Sequence, residues 1–157
     1  MSFLSTTIGK LAATFAVAMV PVIELRGAIP LGVSWGLDLP TAILVSIIGN
    51  IVPVPFIILF IKKIFALLRR ISPKLDGFVG FFEKRGESKR EQVERWAFWG
   101  LFVLVAIPLP GTGAWTGSLV AAMMDMKLKR AFPAIALGVL GAGVIVSIVT
   151  YGAFKIF

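Results

Sequence analysis

The stretch ELRGAIPLG, residues 24–32, places two charges in an apolar segment, residues 11–37, that carries no other ionisable side chain. The charges are the carboxylate of Glu24 and the guanidinium of Arg26. Ionisable groups in such a segment are costly to bury, and they are functional candidates by default. The stretch therefore predicts a site built around these two residues.

The backbone around this pair is predicted to be broken. Pro21 and Pro30 flank the charges and Gly27 follows them, so an unbroken helix is not expected. Broken backbone at membrane depth must face protein or a water-filled cavity, because lipid offers no hydrogen-bond partner. A non-helical turn here would let Glu24 and Arg26 converge on one ligand.

The composition is that of a polytopic membrane protein. Of the 157 residues 58% are hydrophobic and 15% are charged, and the mean hydropathy is +0.96. Residues 41–61, 97–124 and 132–154 contain no Asp, Glu, Lys or Arg. Each is long enough to span the hydrocarbon core, which needs roughly 20 apolar residues. We expect one membrane domain over residues 1–157 and no separate soluble domain.

The charge and the missing residue types exclude several functions. The net charge is +8, but ten of the 16 Lys and Arg residues lie in residues 62–95, the only hydrophilic stretch. Membrane proteins keep such stretches in the cytoplasm, so we expect no nucleic-acid partner. The sequence has no Cys and no His. We therefore expect no cofactor and no metal centre, and an enzyme is not expected because no nucleophile or metal set is evident.

The chain carries an internal repeat. A shift of 87 residues aligns three identical pairs: Phe15 with Phe102, Pro21 with Pro108, and Asp38 with Asp125. Each copy has an apolar half-segment, a break rich in Pro and Gly, a second half-segment and a long apolar helix. We predict an all-α fold of two units, residues 1–61 and 96–157, each a re-entrant helical hairpin followed by a spanning helix.

The distribution of basic residues predicts the orientation. The hairpin at residues 11–37 opens outward and the hairpin at residues 97–124 opens inward, which leaves residues 62–95 and 125–130 in the cytoplasm. Both termini then lie on the outer side of the plasma membrane. The two units are inverted relative to each other, a recurrent design of secondary transporters. The apolar N-terminal run resembles a signal peptide, but its basic region is nearly missing, so we expect it in the mature protein.

The amphipathic connector, residues 62–95, has structure of its own. Opposite charges recur at i,i+4 spacing: Glu91 with Arg95, and Arg90 with Glu94. They predict a short solvated helix. The aromatic run FVGFF, residues 78–82, either lies at the headgroup boundary or packs against the bundle.

The candidate site residues come from both breaks. Glu24 is the candidate proton carrier, because burial disfavours its charged form while a guanidinium nearby favours it. Arg26 is the candidate contact for an anionic group. The remaining candidates are backbone-shaping or neighbouring residues: Gly27, Pro30, Asn50, Pro108, Pro110, Gly111, Gly113, Trp115 and Arg130.

Each candidate also has a structural interpretation. Glu24 and Arg26 could form a pair that only pins the break. The glycines either free backbone amides for an anion or allow close helix packing. Trp115 is a stacking ring or a packing residue, and Arg130 is a membrane-edge anchor or a cavity residue. Asp38 and Asp125 are expected to act as helix N-caps.

The chain resembles the family labelled putative small multidrug export proteins, a distant relative of the DedA, or VTT-domain, membrane proteins. The resemblance lies in three strings: ELRGAIP at residues 24–30, IPLPGTGAWTG at residues 107–117 and MMDMKLKRAFPAIALG at residues 123–138. It implies paired re-entrant loops in an inverted repeat and a proton-coupled carrier. In DedA relatives it implies translocation of polyprenyl phosphate or phospholipid.

The leading hypothesis is a proton-coupled secondary transporter or translocase for an amphipathic small molecule or a lipid phosphate. Its partners would be membrane lipids, protons and the substrate, and assembly into a homo-oligomer is left open. A four-span drug/proton antiporter working as a dimer is the first alternative, and it places residues 127–130 outside. A membrane scaffold or assembly factor that does not transport is the second.

Overall fold

The computed structural model describes residues 3–94 and 96–156, and in these residues the fold is all helical, without strands. It has eight α-helices: α1 Thr7–Met19, α2 Glu24–Ser34, α3 Leu39–Ile51, α4 Pro53–Ile71, α5 Asp76–Glu94, α6 Phe98–Ala106, α7 Ala114–Met123 and α8 Leu128–Ile156. Two stretches, Leu39–Ile71 and Leu128–Ala153, are long and apolar enough to cross a membrane. The prediction of an all-α protein is confirmed, and two stretches have the length and composition of membrane spans.

The first break lies between α1 and α2. Val22 has a φ of 77°, in the left-handed region that β-branched residues rarely adopt. The two helices have 13 and 11 residues, close to the predicted half-segments. The predicted non-helical turn reaches only the first residue of the charged pair: Glu24 has a left-handed φ of 50°, but α2 begins there and continues through Pro30, so the expected break across Arg26 is wrong. Glu24 and Arg26 therefore lie in the first turn of a helix.

The long apolar segment that follows begins where it was predicted to begin but ends later than predicted. Asp38 caps α3 as predicted, since its Oδ2 accepts hydrogen bonds from the backbone N–H of Thr41 at 3.0 Å and from its hydroxyl at 2.9 Å. Only Val52 separates α3 from α4. The predicted end at residue 61 is wrong, because α4 continues to Ile71 and takes in the first part of the predicted connector.

The rest of the connector is α5, which folds back on the bundle. Arg69 of α4 pairs with Asp76 at 2.8 Å and with Glu83 at 2.6 Å. Val79 is fully buried, whereas Phe78 and Phe81 are exposed, so the aromatic run packs with one face only. The helix has 19 residues and is longer than predicted.

The predicted ion pairs of the connector depend on side chains that lie outside the described part of the chain. These are the side chains of Glu91, Glu94 and Arg95. The helix itself is described up to Glu94.

The second break, residues 107–113, separates α6 from α7, and α8 completes the chain as one helix. Gly111 and Gly113 have φ values of 84° and 117°, which glycine adopts without strain. The predicted N-cap role of Asp125 is wrong. Its Oδ1 instead accepts a hydrogen bond from Lys62 Nζ of α4 at 2.7 Å, and α8 begins three residues later, at Leu128.

Two pairs of helices pack closely at glycine residues: α3 against α1, and α8 against α6. A Cβ atom at Gly49 of α3 would lie 2.6 Å from the carbonyl oxygen of Phe15 in α1. A Cβ atom at Gly138 of α8 would lie 2.9 Å from the carbonyl oxygen of Phe102 in α6. In addition, α7 packs against α4 and α5, and α2 packs against α8. These crossed contacts bring the two breaks together.

Candidate functional site

Glu24 joins the first break to the start of α7. Its Oε1 accepts a hydrogen bond from the backbone N–H of Trp115 at 2.9 Å, and its Oε2 accepts one from Ala114 at 3.3 Å. The residue is only 2% exposed. Backbone N–H groups in the first turn of a helix have no partner within the helix and carry partial positive charge. The Glu24 carboxylate therefore caps α7 from a segment 90 residues away in sequence.

Arg26 makes the second link between the breaks. Its guanidinium donates to the carbonyl oxygen of Leu109 and, at 2.8 Å, to the hydroxyl oxygen of Thr112. Within the second break, Thr112 Oγ1 lies 2.7 Å from the carbonyl oxygens of Ile107 and Leu109. Sequence reasoning did not assign Thr112 a role. The sequence feature that could have indicated such a role is a hydroxyl side chain in a Gly-rich turn, where it can form hydrogen bonds with the local backbone.

Trp115 makes a third link, in the opposite direction. Its indole Nε1–H donates to the carbonyl oxygen of Met19 at 2.9 Å, at the end of α1. The ring packs with the buried cluster of Ile57, Phe65 and Leu119. This arrangement matches the packing interpretation of Trp115.

Gly113 is required by the close approach of Glu24. A Cβ atom at this position would lie 2.1 Å from Glu24 Oε2, and the φ of 117° is strained for any other residue. Gly117 instead fits the helix-packing interpretation, because its Cβ would lie 2.6 Å from a methyl group of Val105. Gly113 in the second break and Gly117 in α7 are thus required for two different physical reasons.

A cavity of about 110 Å³ lies beside these links. It is lined by Glu24 and Arg26 at the start of α2 and by Pro110 and Gly111 of the second break. It is also lined by Arg85 of α5 together with other described residues: Pro21, Val22, Phe82, Thr112, Trp115, Thr116 and Leu119.

Sequence reasoning missed Arg85, because it treated the connector as a solvated segment. The available signal was Gly86, the next residue. Gly86 is buried, and a Cβ atom there would lie 3.3 Å from the Met123 side chain of α7.

The other predicted residues lie around this cavity or away from it. Pro30 and Pro108 border a separate cavity of about 410 Å³ that Arg26 also lines. A Cβ atom at Gly27 would lie 2.4 Å from the Ile23 side chain. Asn50 is 1% exposed, and its Oδ1 has no hydrogen-bond partner among the described residues.

Arg130 is not part of the Glu24 cavity. It is exposed and lines a surface hollow with Asp125, Lys127 and Lys129. Within residues 3–94 and 96–156, no three Asp or Glu side chains cluster in a way that could hold a metal ion. The chemistry available in the Glu24 cavity is therefore that of one carboxylate, two guanidinium groups and hydroxyl groups.

Residues 24–145 match the model of the family described as "Putative small multi-drug export protein". The matched range begins at Glu24, directly after the first break, and contains α2, α5 and the second break. No curated protein and no solved structure matches the chain. The family match covers well over half of the sequence, and its description agrees with the two apolar helices long enough to cross a membrane. The chain therefore belongs to the small multi-drug export protein family of membrane proteins.

Proposed function

We propose that the protein is a proton-coupled secondary transporter that moves an amphipathic small molecule or a lipid phosphate across the plasma membrane. The observation that carries this proposal is the buried Glu24 carboxylate, which bridges the two breaks through the backbone of α7. The family description supports the transporter class. Proton coupling and the substrate class are part of the proposal.

Glu24 would couple proton binding to movement of the breaks. As a carboxylate it accepts hydrogen bonds from Ala114 and Trp115. A proton on one oxygen turns an acceptor into a donor, so the carboxyl group holds the α7 amides less strongly. The breaks would then separate more easily on protonation, while Arg26 remains charged at all physiological pH values.

The contact pattern supports the proposed inverted repeat of re-entrant hairpins. Phe15 and Phe102 align in the sequence repeat. The backbone carbonyl oxygen of each lies so close to a glycine of a later helix that a Cβ atom would not fit there. The glycines are Gly49 and Gly138, which are 89 residues apart rather than 87. Each second half-helix also packs against the long helix of the other unit, α2 on α8 and α7 on α4. We propose that alternating access arises from rocking of these two units.

The proposal is tested by transport in liposomes with an imposed pH gradient. Amphipathic cations, amphipathic anions and lipid phosphates are offered to the wild type and to Glu24→Gln. We expect the variant to lose at least about tenfold of the transport rate, because glutamine cannot bind the coupling proton. Thermal unfolding of the same samples shows whether the variant is folded.

The matched control is Glu87→Gln, which makes the same change on an exposed position of α5 outside the cavity. It should transport at the wild-type rate. Unchanged transport by a folded Glu24→Gln protein would reject proton coupling at this residue. Absence of transport by the wild type for every substrate class would favour the scaffold alternative.

A further inference from the structure

Arg85 brings a second cation into the lining of the Glu24 cavity, beside Arg26. Among the described residues its guanidinium makes no hydrogen bond and no ion pair, and it lies 6.0 Å from the Phe81 ring centroid. The other charges in the lining are Glu24 and Arg26, of opposite sign. Glu24 accepts hydrogen bonds from two backbone amides, and among the described residues no ion pair joins it to either guanidinium. The lining carries a net charge of +1 and favours an anion.

The size of the cavity limits what this anion can be. Drug-sized ligands occupy sites of roughly 300–1,000 Å³. The cavity beside Glu24 measures about 110 Å³. It has room for a compact charged group but not for the body of an amphipathic molecule.

The space for an apolar body lies next to the cavity. A groove of about 500 Å³ runs along α4 and is bordered by Trp115, which also lines the cavity. Its walls are almost entirely apolar and include Phe56, Phe60 and Ile64. Because α4 lies in a stretch long and apolar enough to cross the membrane, an apolar chain in this groove would stay in surroundings as apolar as the lipid.

We propose that the cavity and the α4 groove form one binding site for an amphiphile with a compact anionic head, and that Arg85 selects that head. The head lies between Arg26 and Arg85, and the apolar chain passes Trp115 into the groove. The connector helix α5 is thereby a wall of the site. This inference rests on the proposed function, since it names the substrate class of the same site.

The selectivity follows from electrostatics. A compact anion can take hydrogen bonds from two guanidinium groups, and such charge-assisted bonds are the strong ones. A lipophilic cation in the same place would meet the uncompensated charge of Arg85. The site should therefore prefer anions to lipophilic cations of equal chain length.

The experiment measures binding with amphiphiles that differ only in the head. Octyl phosphate, octyltrimethylammonium and octanol are titrated into the full chain in phosphatidylcholine nanodiscs, with empty nanodiscs as the blank. Binding is followed by the rise in melting temperature, because a ligand of the folded state stabilises it. We expect stabilisation by octyl phosphate only. Arg85→Gln should bind octyl phosphate at least about tenfold more weakly than the wild type.

Two further variants keep the result interpretable. Arg85→Lys retains a point charge without the fork of donors, so it should keep the preference for anions and bind less tightly than the wild type. Lys84→Gln removes a neighbouring exposed charge outside the cavity and should bind like the wild type. If Arg85→Gln fails to fold, the comparison of Arg85→Lys with Lys84→Gln carries the test.

Equal binding of octyl phosphate by the wild type and Arg85→Gln would overturn the role of Arg85. Equal or tighter binding of octyltrimethylammonium would overturn the anionic head. Phosphatidic acid added to the nanodisc distinguishes two sources of the natural ligand, both of which agree with the proposal. If phosphatidic acid competes with octyl phosphate, the ligand is a membrane lipid. If it does not compete, the ligand is a soluble amphiphile. Loss of transport in Glu24→Gln with intact octyl phosphate binding tests the proposed function separately, because binding needs no proton coupling.

Discussion

The close approach of Glu24 to Gly113 shows that the position of the carboxylate depends on a glycine at the second break. The carboxylate reaches the amides of Ala114 and Trp115 only because no Cβ atom stands at Gly113. A buried carboxylate without these donors would be strongly unfavourable. The glycine and the carboxylate are thus a single structural feature formed by residues far apart in sequence.

Gly113→Ala should therefore be destabilising. The strained φ and the clash with Glu24 should cost about 1–3 kcal/mol or more of the free energy of unfolding. Thermal unfolding in detergent would measure it. Gly80→Ala is the matched control, because nothing lies within 4 Å of its Cβ position. It should be neutral or stabilise α5 by roughly 0.5–1 kcal/mol. Equal stability of the two variants would contradict the Glu24 contact.

Thr112→Val should also weaken the link between the breaks. Valine keeps the shape but cannot bond Arg26 or the backbone of the break, so we expect a loss of about 1–3 kcal/mol. The control is Thr14→Val, since Thr14 donates only to Lys10 within its own helix. Denaturant unfolding of both variants tests this, and an equal loss in both would count against a special role of Thr112.

At the scale of elements, the apolar pattern located the helices and the breaks but not all of the helix ends. Helix α4 continues past residue 61 although Lys62 and Lys63 are charged. Lys62 is held by Asp125, and Arg69 is held by α5, so the charged end of the helix has partners. Local composition could not reveal these partners. The same reason explains why Asp125 does not cap α8.

Close packing of α6 on α8 can be tested with two glycines of the same helix. Gly138→Ala would push a methyl group against Phe102 and Val105, so it should cost about 1–3 kcal/mol by overpacking. Gly152 has nothing within 4 Å of its Cβ position. Gly152→Ala should be neutral or stabilising by roughly 0.5–1 kcal/mol. The difference in melting temperature between the two variants is the measurement, and no difference would argue against this packing.

At the scale of the whole molecule, the orientation in the membrane separates the proposed inverted repeat from four plain spans. Helix α8 carries Lys129 near its start and Lys155 near its end. The inverted repeat places Lys129 in the cytoplasm and Lys155 outside. The four-span antiporter places Lys129 outside.

Single-cysteine variants can decide the orientation, because the natural sequence has no cysteine. In intact cells, an impermeant thiol reagent should label Lys155→Cys and leave Lys129→Cys unlabelled. Both should react after the membrane is opened. Labelling of Lys129→Cys in intact cells would contradict the inverted topology and favour the four-span alternative.

The sequence by itself determined the all-helical fold, the long apolar helices and the existence of both breaks, although the first break lies before α2 rather than across the charged pair. These features depend on local causes, namely apolar composition and the placement of Pro and Gly, as at Pro21 and Gly111. It also identified Glu24 and Arg26 as the principal candidates, because charge in an apolar segment is conspicuous.

Only the tertiary structure decided what these residues touch. Glu24 finds its partners 90 and 91 residues along the chain, and Arg26 finds Thr112 at a separation of 86. Arg85 lines the same cavity because α5 packs against α7. Such contacts depend on how helices cross, which no local pattern of residues encodes. The charged pair was visible in the sequence, but its binding partners and the third charge beside it were not.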